Sequence, residues 1–207
     1  MNDTMDMKLP TQEQALGYFD EFAVPRNIVA HCKKVQEVAV FLANEMKKKG
    51  MEVDVSFVAP LALLHDIFKV VVLDKIGGNQ YHPYEPNERE VAMHRKLRSE
   101  YKGMYESEVA YEVFKDRFPE LAVSLRDCSN HHKRDKSPEE MLVHYVDWRV
   151  LRDEIISLDD RIAYCKEVYH INEFRDDISE LRLYENKLFT ELRYSPDGLK
   201  AKIEAQQ

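Results

Sequence analysis

Apolar residues recur every three or four positions along most of the chain, and this spacing predicts helices rather than strands. The clearest repeat follows Pro25, a residue suited to the first turn of a helix, and Gly50 is suited to its end. One face of this helix would carry the apolar positions Ile28, Cys32, Val35, Val38, Ala39, Leu42 and Met46. Upstream, Thr11 and Gln14 form a capping-box pair that predicts an earlier helix.

A third predicted helix begins near Asp54 and runs through "LALLHDIFK", residues 61 to 69. Pro60 lies in its first turns or bends it. The helical spacing turns His65 inward with the preceding leucines, and Asp66 follows directly. Because a buried carboxylate is costly unless it is paired or binds a metal, this doublet needs a partner.

Polar stretches divide the rest of the chain. Residues 74 to 88, "DKIGGNQYHPYEPNE", predict a long ordered loop of the kind that often forms a lid or a binding loop. Two or three helices are expected between about 87 and 130, another opens at "SPEE", residues 137 to 140, and one or two charged helices span 157 to about 193. No convincing run of alternating strands is present, so the predicted fold class is all-α.

The composition is that of a globular protein rather than a disordered chain. At 207 residues and 44% hydrophobic content, we expect one domain over 1–207, with a core of about 24–155 and a helical extension of about 156–207. The extension packs on its own core or on a second subunit, so a homodimer is left open. The net charge of −8 disfavours non-specific binding to nucleic acid or anionic membranes.

Sparse cysteines and the absence of targeting signals indicate a cytoplasmic protein. The chain has three cysteines and no CxxC pair, which suggests neither a disulfide framework nor a zinc knuckle. The N-terminal residues do not resemble a signal peptide. The longest uncharged apolar run is far shorter than the roughly 18 residues of a transmembrane helix. We therefore expect no membrane partner and a cytoplasmic location.

Four residues in a fixed order suggest a metal site: His31 on one helix, the His65-Asp66 doublet on the next, and Asp147 much later, beside Trp148. Each alone is more simply explained as a buried histidine or a salt-bridged carboxylate. Together, two imidazoles and two carboxylates suit Mn, Fe, Co, Ni or Zn, and Mg less well. A six-coordinate ion with four protein ligands keeps two positions for water and substrate.

This order, with "HDIFK" after an apolar run, resembles the HD-domain metal-dependent phosphohydrolases, in particular the HDIG-type hydrolases, over about residues 27 to 153. The resemblance implies an HD-domain-like helical bundle that binds a divalent metal ion. In this chain the implied ligands are His31, His65, Asp66 and Asp147. It also implies that Lys69, a recurrent family lysine, holds a substrate phosphate.

Two positions depart from the family pattern. Phe68 stands where the common HDIGK form has a small glycine. Tyr105 aligns with a helix-starting histidine of the two-metal members and is a poor ligand, which favours a single metal ion. His94 could replace that histidine, but its charged surroundings predict a solvated side chain.

Three further residues, His131, His132 and Asp74, are candidates for catalysis. His131 and His132 lie in a polar stretch and are either exposed loop residues or, for one of them, a proton donor or phosphate contact in the cleft. Asp74 lies eight residues after Asp66, on the same face if the helix continues. It would then be a candidate general base; otherwise it caps the loop.

The function expected from these residues is metal-dependent hydrolysis of a small phosphate ester, such as a nucleotide or a related phosphomonoester or diester. One alternative is a non-catalytic HD-like module that binds a metal or a nucleotide for regulation. A second is a structural helical protein in which the same residues form buried salt bridges.

Overall fold

Helices form most of the computed structural model, which describes residues 9–78, 84–130, 133–170 and 177–206. This confirms the all-α prediction. The α-helices are α1 (Gln12–Glu21), α2 (Arg26–Lys48), α3 (Val55–Leu64), α4 (Glu88–Glu100), α5 (Glu106–Phe114), α6 (Pro119–Cys128), α7 (Pro138–Arg149), α8 (Leu158–Tyr169), α9 (Asp177–Leu192) and α10 (Leu199–Glu204). Short 3₁₀ helices span Lys69–Val72 and Pro196–Gly198.

The predicted helix boundaries follow from local capping chemistry. The Thr11 hydroxyl accepts a hydrogen bond from the Gln14 backbone N–H, and Ser137 does the same for Glu140. Asp54 caps α3 by accepting from the N–H groups of residues 56 and 57. Each cap satisfies an N–H group that has no partner inside its helix. Gly50 adopts a φ of 76°, which allows the chain to turn away just after α2.

Helix α3 lies at the centre of the core. It packs against α2 on one side and against α6 and α7 on others. Its leucines Leu61, Leu63 and Leu64 are fully buried. Each such leucine contributes about 2 kcal/mol through removal of apolar surface from water. A helix that is apolar all round needs this central position.

The segment Val55–Val72 is the only one in the described ranges that is apolar and long enough to cross a membrane. Its mean hydropathy is 1.8, and 67% of it is buried inside the fold. The segment also contains His65, Asp66 and Lys69. These properties identify it as the core of the fold.

Helix α3 ends earlier than predicted. Its last residue is Leu64, so His65 and Asp66 lie in the turn that follows, before the 3₁₀ helix Lys69–Val72. The premise that placed Asp74 on the same helical face as Asp66 is therefore wrong. The Asp74 side chain is 95% exposed and pairs with Arg98 Nη2 at 3.0 Å, so its position does not support a role as general base.

A hairpin of two short strands follows α7, β1 (Val150–Leu151) and β2 (Glu154–Ile155), paired antiparallel. It was not predicted, because two residues are too few to show an alternating pattern. At its turn, Arg152 adopts a φ of 60°. The backbone carbonyl of Arg152 in this turn contacts His31.

The C-terminal extension packs on the core of its own chain. Helix α9 contacts α2 and α7, and the buried side chains of the extension include Leu181, Leu188, Phe189, Leu192, Leu199 and Ile203. Arg149 lies buried beneath it and donates to Glu185 Oε2 at 2.8 Å and to the Pro196 carbonyl at 3.1 Å. A salt bridge and a backbone hydrogen bond thus join the extension to α7.

Candidate metal centre

The structure brings His31, His65, Asp66 and Asp147 together, as the sequence predicted. One ligand atom from each lies within 4.8 Å of the others. Helix α2 supplies His31, the turn after α3 supplies the doublet, and α7 supplies Asp147. These three segments pack against one another in the core, which explains how residues distant in sequence meet.

The hairpin turn fixes the orientation of His31. Its Nδ1–H donates to the Arg152 backbone carbonyl at 2.9 Å. Nε2 therefore points towards the cluster, where it lies 3.0 Å from Asp147 Oδ1 and 4.0 Å from Asp66 Oδ2. A backbone partner on one ring nitrogen is the usual way in which a metal-binding histidine is oriented.

The end of α3 fixes His65 in the same way. Its Nδ1–H donates to the Ala62 carbonyl at 2.8 Å and so satisfies one of the carbonyls left unpaired at a helix C-terminus. Its Nε2 is buried and makes no hydrogen bond to any described residue. This nitrogen lies 3.5 Å from Asp147 Oδ1 and 3.9 Å from Asp66 Oδ2.

These residues fit a divalent ion. Two atoms that each lie about 2.1 Å from one ion are at most about 4.2 Å apart. The four separations above run from 3.0 to 4.0 Å. A bound ion would give the buried His65 Nε2 a partner. The negative end of the α3 dipole also favours a cation here. Two nitrogen and two oxygen donors are the set preferred by Mn, Fe, Co, Ni or Zn.

Charges in the centre shift the pKa of three groups. Burial alone would raise the pKa of Asp147, but the hydrogen bond from His31 and the neighbouring His65 ring hold it well below its usual value. Burial also opposes ionisation of Asp66, yet Lys69 and His65 lower its pKa. Burial would lower the pKa of His65, but the carboxylates of Asp66 and Asp147 raise it to about 9. Both carboxylates are thus ionised at neutral pH, as ligands must be.

Lys69 lies at the edge of the centre. Its Nζ is 3.6 Å from Asp66 Oδ1 and donates to Glu106 Oε1 at 2.6 Å. Its side chain is 38% exposed. Burial would lower the pKa of Lys69, but the two carboxylates raise it, and the ammonium stays charged.

Glu106 was missed by the sequence reasoning. It is the first residue of α5, its side chain is 3% exposed, and its Oε2 has no hydrogen-bond partner among the described residues. Burial raises its pKa to about 7 despite the nearby ammonium. The sequence shows an acidic residue in the first turn of a helix, and this pattern predicts a helix start exposed to solvent. Only the fold shows that this end of α5 is buried against Lys69.

Other candidate residues have different surroundings from those expected. Tyr105 caps α5 and is 49% exposed. The solvated His94 was a wrong prediction: the side chain is buried, and its ring Nε2 bonds the Leu73 carbonyl at 2.9 Å. Phe68 packs edge-on against Phe22, at 4.8 Å between ring centroids, so the departure from glycine belongs to core packing. His131 and His132 lie outside the described residues.

Comparison with known proteins gives one finding about family. The model of the family described as "HD domain" matches residues 28–165, which include all four residues of the cluster. Among curated proteins and solved structures, no significant match is found.

Proposed function

The chain belongs to the HD-domain family, and we propose that it hydrolyses a small phosphate ester with the help of one divalent metal ion. The family match and the His/Asp cluster together support a metal-dependent hydrolase. The observation that carries the proposal is the orientation of the two histidines, since both hold a backbone carbonyl through Nδ1 and turn Nε2 towards the same two carboxylates.

The four proposed ligands lie partly on a buried side and partly on an open side of the centre. His65 is 2% exposed and forms the floor, whereas Asp147 is 30% exposed and lies where solvent and substrate can enter. When bound, a divalent ion supplies an acidified water nucleophile and polarises a phosphoryl oxygen. The protein contributes rigid ligands whose orientation needs no rearrangement during the reaction.

Lys69 gives the open side its affinity for phosphate. The ammonium lies beside Asp66 on a side chain that is partly exposed, and a phosphoryl oxygen would approach it while the ester is held at the centre. A lysine in this position offsets the negative charge that develops on phosphate. It acts as a point charge and does not require a fixed donor geometry.

The substrate class that we propose is a nucleotide or a related phosphomonoester or diester in the cytoplasm. The acidic chain makes extended nucleic acid and anionic membranes unfavourable partners. A regulatory module that binds such a ligand without turnover is the second candidate. It is favoured by the 2.6 Å bond that engages Lys69 with Glu106, since this ammonium must be shared with an incoming phosphate.

A screen of phosphate esters tests the proposal. The purified protein is stripped with chelator, reloaded with Mn²⁺, Co²⁺, Ni²⁺ or Mg²⁺, and assayed for phosphate release from nucleotides and simple esters. We expect hydrolysis with at least one of the transition metals and its loss in Asp66→Asn. The matched control is Asp159→Asn, which alters a carboxylate that is 76% exposed and paired with Arg182 away from the cluster.

Two outcomes would separate the candidates. Tight binding of a nucleotide by the metal-loaded protein, without release of phosphate from any ester, would favour the regulatory module. Equal hydrolysis by the wild type and Asp66→Asn would contradict the assignment of the centre.

A further inference from the structure

The two carboxylate oxygens of Asp66 face different cationic groups. Oδ2 is directed to the histidines, at 4.0 Å from His31 Nε2 and 3.9 Å from His65 Nε2. Oδ1 is directed to the other side, at 3.6 Å from Lys69 Nζ. Asp66 therefore stands between the position for the metal ion and a fixed ammonium.

Glu106 holds that ammonium in place. Its Oε1 accepts from Lys69 at 2.6 Å, and the rest of the carboxylate is buried. The contact is built into the fold, because α5 packs directly on the 3₁₀ helix that begins at Lys69. A buried carboxylate is costly without a cationic partner, and Lys69 is the partner that the described residues provide.

This carboxylate also weakens the positive charge that Lys69 offers to a phosphate. A lysine used only as a phosphate clamp would act more strongly without a buried carboxylate beside it. Glu106 therefore has a further role, and the geometry on the outer side of Asp66 indicates which one.

We propose that the Lys69 ammonium, held by Glu106, occupies the cation position on the outer side of Asp66, so that the centre accepts one metal ion and excludes a second. Glu106 is a positioning residue in this arrangement, since it acts through Lys69. The inference rests on the metal-dependent hydrolysis proposed above, but metal counting tests it without any assay of activity.

Removal of the ammonium should open a second metal position. In Lys69→Met, Asp66 Oδ1 and Glu106 Oε1 lose their cation. With Glu106 Oε2, they form a carboxylate set suited to Mn²⁺. Asp66 would then have one oxygen towards each ion. Two Mn²⁺ ions bridged by one carboxylate give an exchange-coupled electron paramagnetic resonance spectrum, which a single ion does not.

The experiment is a Mn²⁺ titration of metal-free full-length protein, followed by calorimetry and by electron paramagnetic resonance. We expect one equivalent in the wild type and in Lys69→Arg, which keeps the charge. We expect two equivalents and a coupled spectrum in Lys69→Met, and one equivalent again in Lys69→Met/Glu106→Gln. Circular dichroism checks that each variant is folded, and Lys69→Gln replaces Lys69→Met if the latter does not fold.

The outcomes distinguish this inference from the proposed function. Two equivalents in the wild type, or a single equivalent in the folded uncharged Lys69 variant, would overturn the inference and leave the hydrolase proposal standing. No bound Mn²⁺ in the wild type would overturn the metal centre itself. A wild type that binds one ion but hydrolyses no ester would refute the hydrolase and leave the role of Lys69 to be decided by the variants.

Discussion

Metal binding should compete with a proton on His65. The carboxylates of Asp66 and Asp147 raise the pKa of this histidine to about 9, against the effect of burial. Below that pH the metal-free ring carries a proton on Nε2, because Nδ1–H is committed to the Ala62 carbonyl. An ion can bind Nε2 only after this proton leaves. Affinity should therefore rise with pH up to about 9 and level off above it.

The expected change in metal affinity with pH follows from the His65 pKa of about 9. Between pH 8.5 and pH 7.0 the fraction of neutral His65 falls about 25-fold, which weakens binding by about 2 kcal/mol. Asp66 and Asp147 have lowered pKa values and stay ionised over this range, so they add nothing to the slope. Near pH 7, binding should release about one proton from His65.

Isothermal titration calorimetry with Mn²⁺ measures both quantities. Titrations in buffers of different ionisation enthalpy count the protons released, and a pH series gives the slope. His170→Asn is the matched control, since His170 is exposed, with a φ of 55° that asparagine tolerates. The control should reproduce the wild-type slope. A constant affinity from pH 7.0 to 8.5, with no release of protons, would exclude competition between the metal ion and a proton on His65.

Three further predictions concern single residues. Asp147→Asn removes an anionic ligand, so Mn²⁺ affinity by calorimetry should fall at least about 100-fold; an unchanged affinity would exclude Asp147 as a ligand. Glu106 has a pKa raised to about 7 by burial, so its ionisation above that pH adds negative charge and should raise the KM for a phosphate ester; Glu106→Gln should abolish this rise in a pH series, and its persistence would assign the titration elsewhere. Arg149→Met leaves Glu185 without its cationic partner and should lower the free energy of unfolding by about 3 kcal/mol in urea, while metal stoichiometry stays at one; a stability within error of wild type would contradict this role.

Much of the fold could be predicted because its signals are local. Capping residues such as Thr11, Asp54 and Ser137, together with apolar spacing, define where helices start and which faces they bury. The end of α3 was misplaced because the apolar spacing continues through Phe68 although the backbone leaves the helix at His65. Apolar spacing indicates which side chains are buried, but it does not indicate where the helical backbone ends.

The proximity of the four His and Asp side chains could be predicted, but their supporting contacts could not. The order of histidines and aspartates is visible in the sequence, and the fold brings these four residues together. The partners that orient the ligands are backbone carbonyls of Ala62 and Arg152, which no residue type reveals. Glu106 meets Lys69 only through the packing of α5 on the 3₁₀ helix, a contact between residues 37 positions apart.

Anomalous diffraction from crystals grown with Mn²⁺ locates the ion and identifies its ligands in one measurement. The proposed centre requires one anomalous peak among His31, His65, Asp66 and Asp147, bonded to Nε2 of both histidines at about 2.2 Å, and no peak between Asp66 and Glu106. A centre without a peak in Mn²⁺-saturated crystals, or a peak bonded to Nδ1 of either histidine, would contradict it.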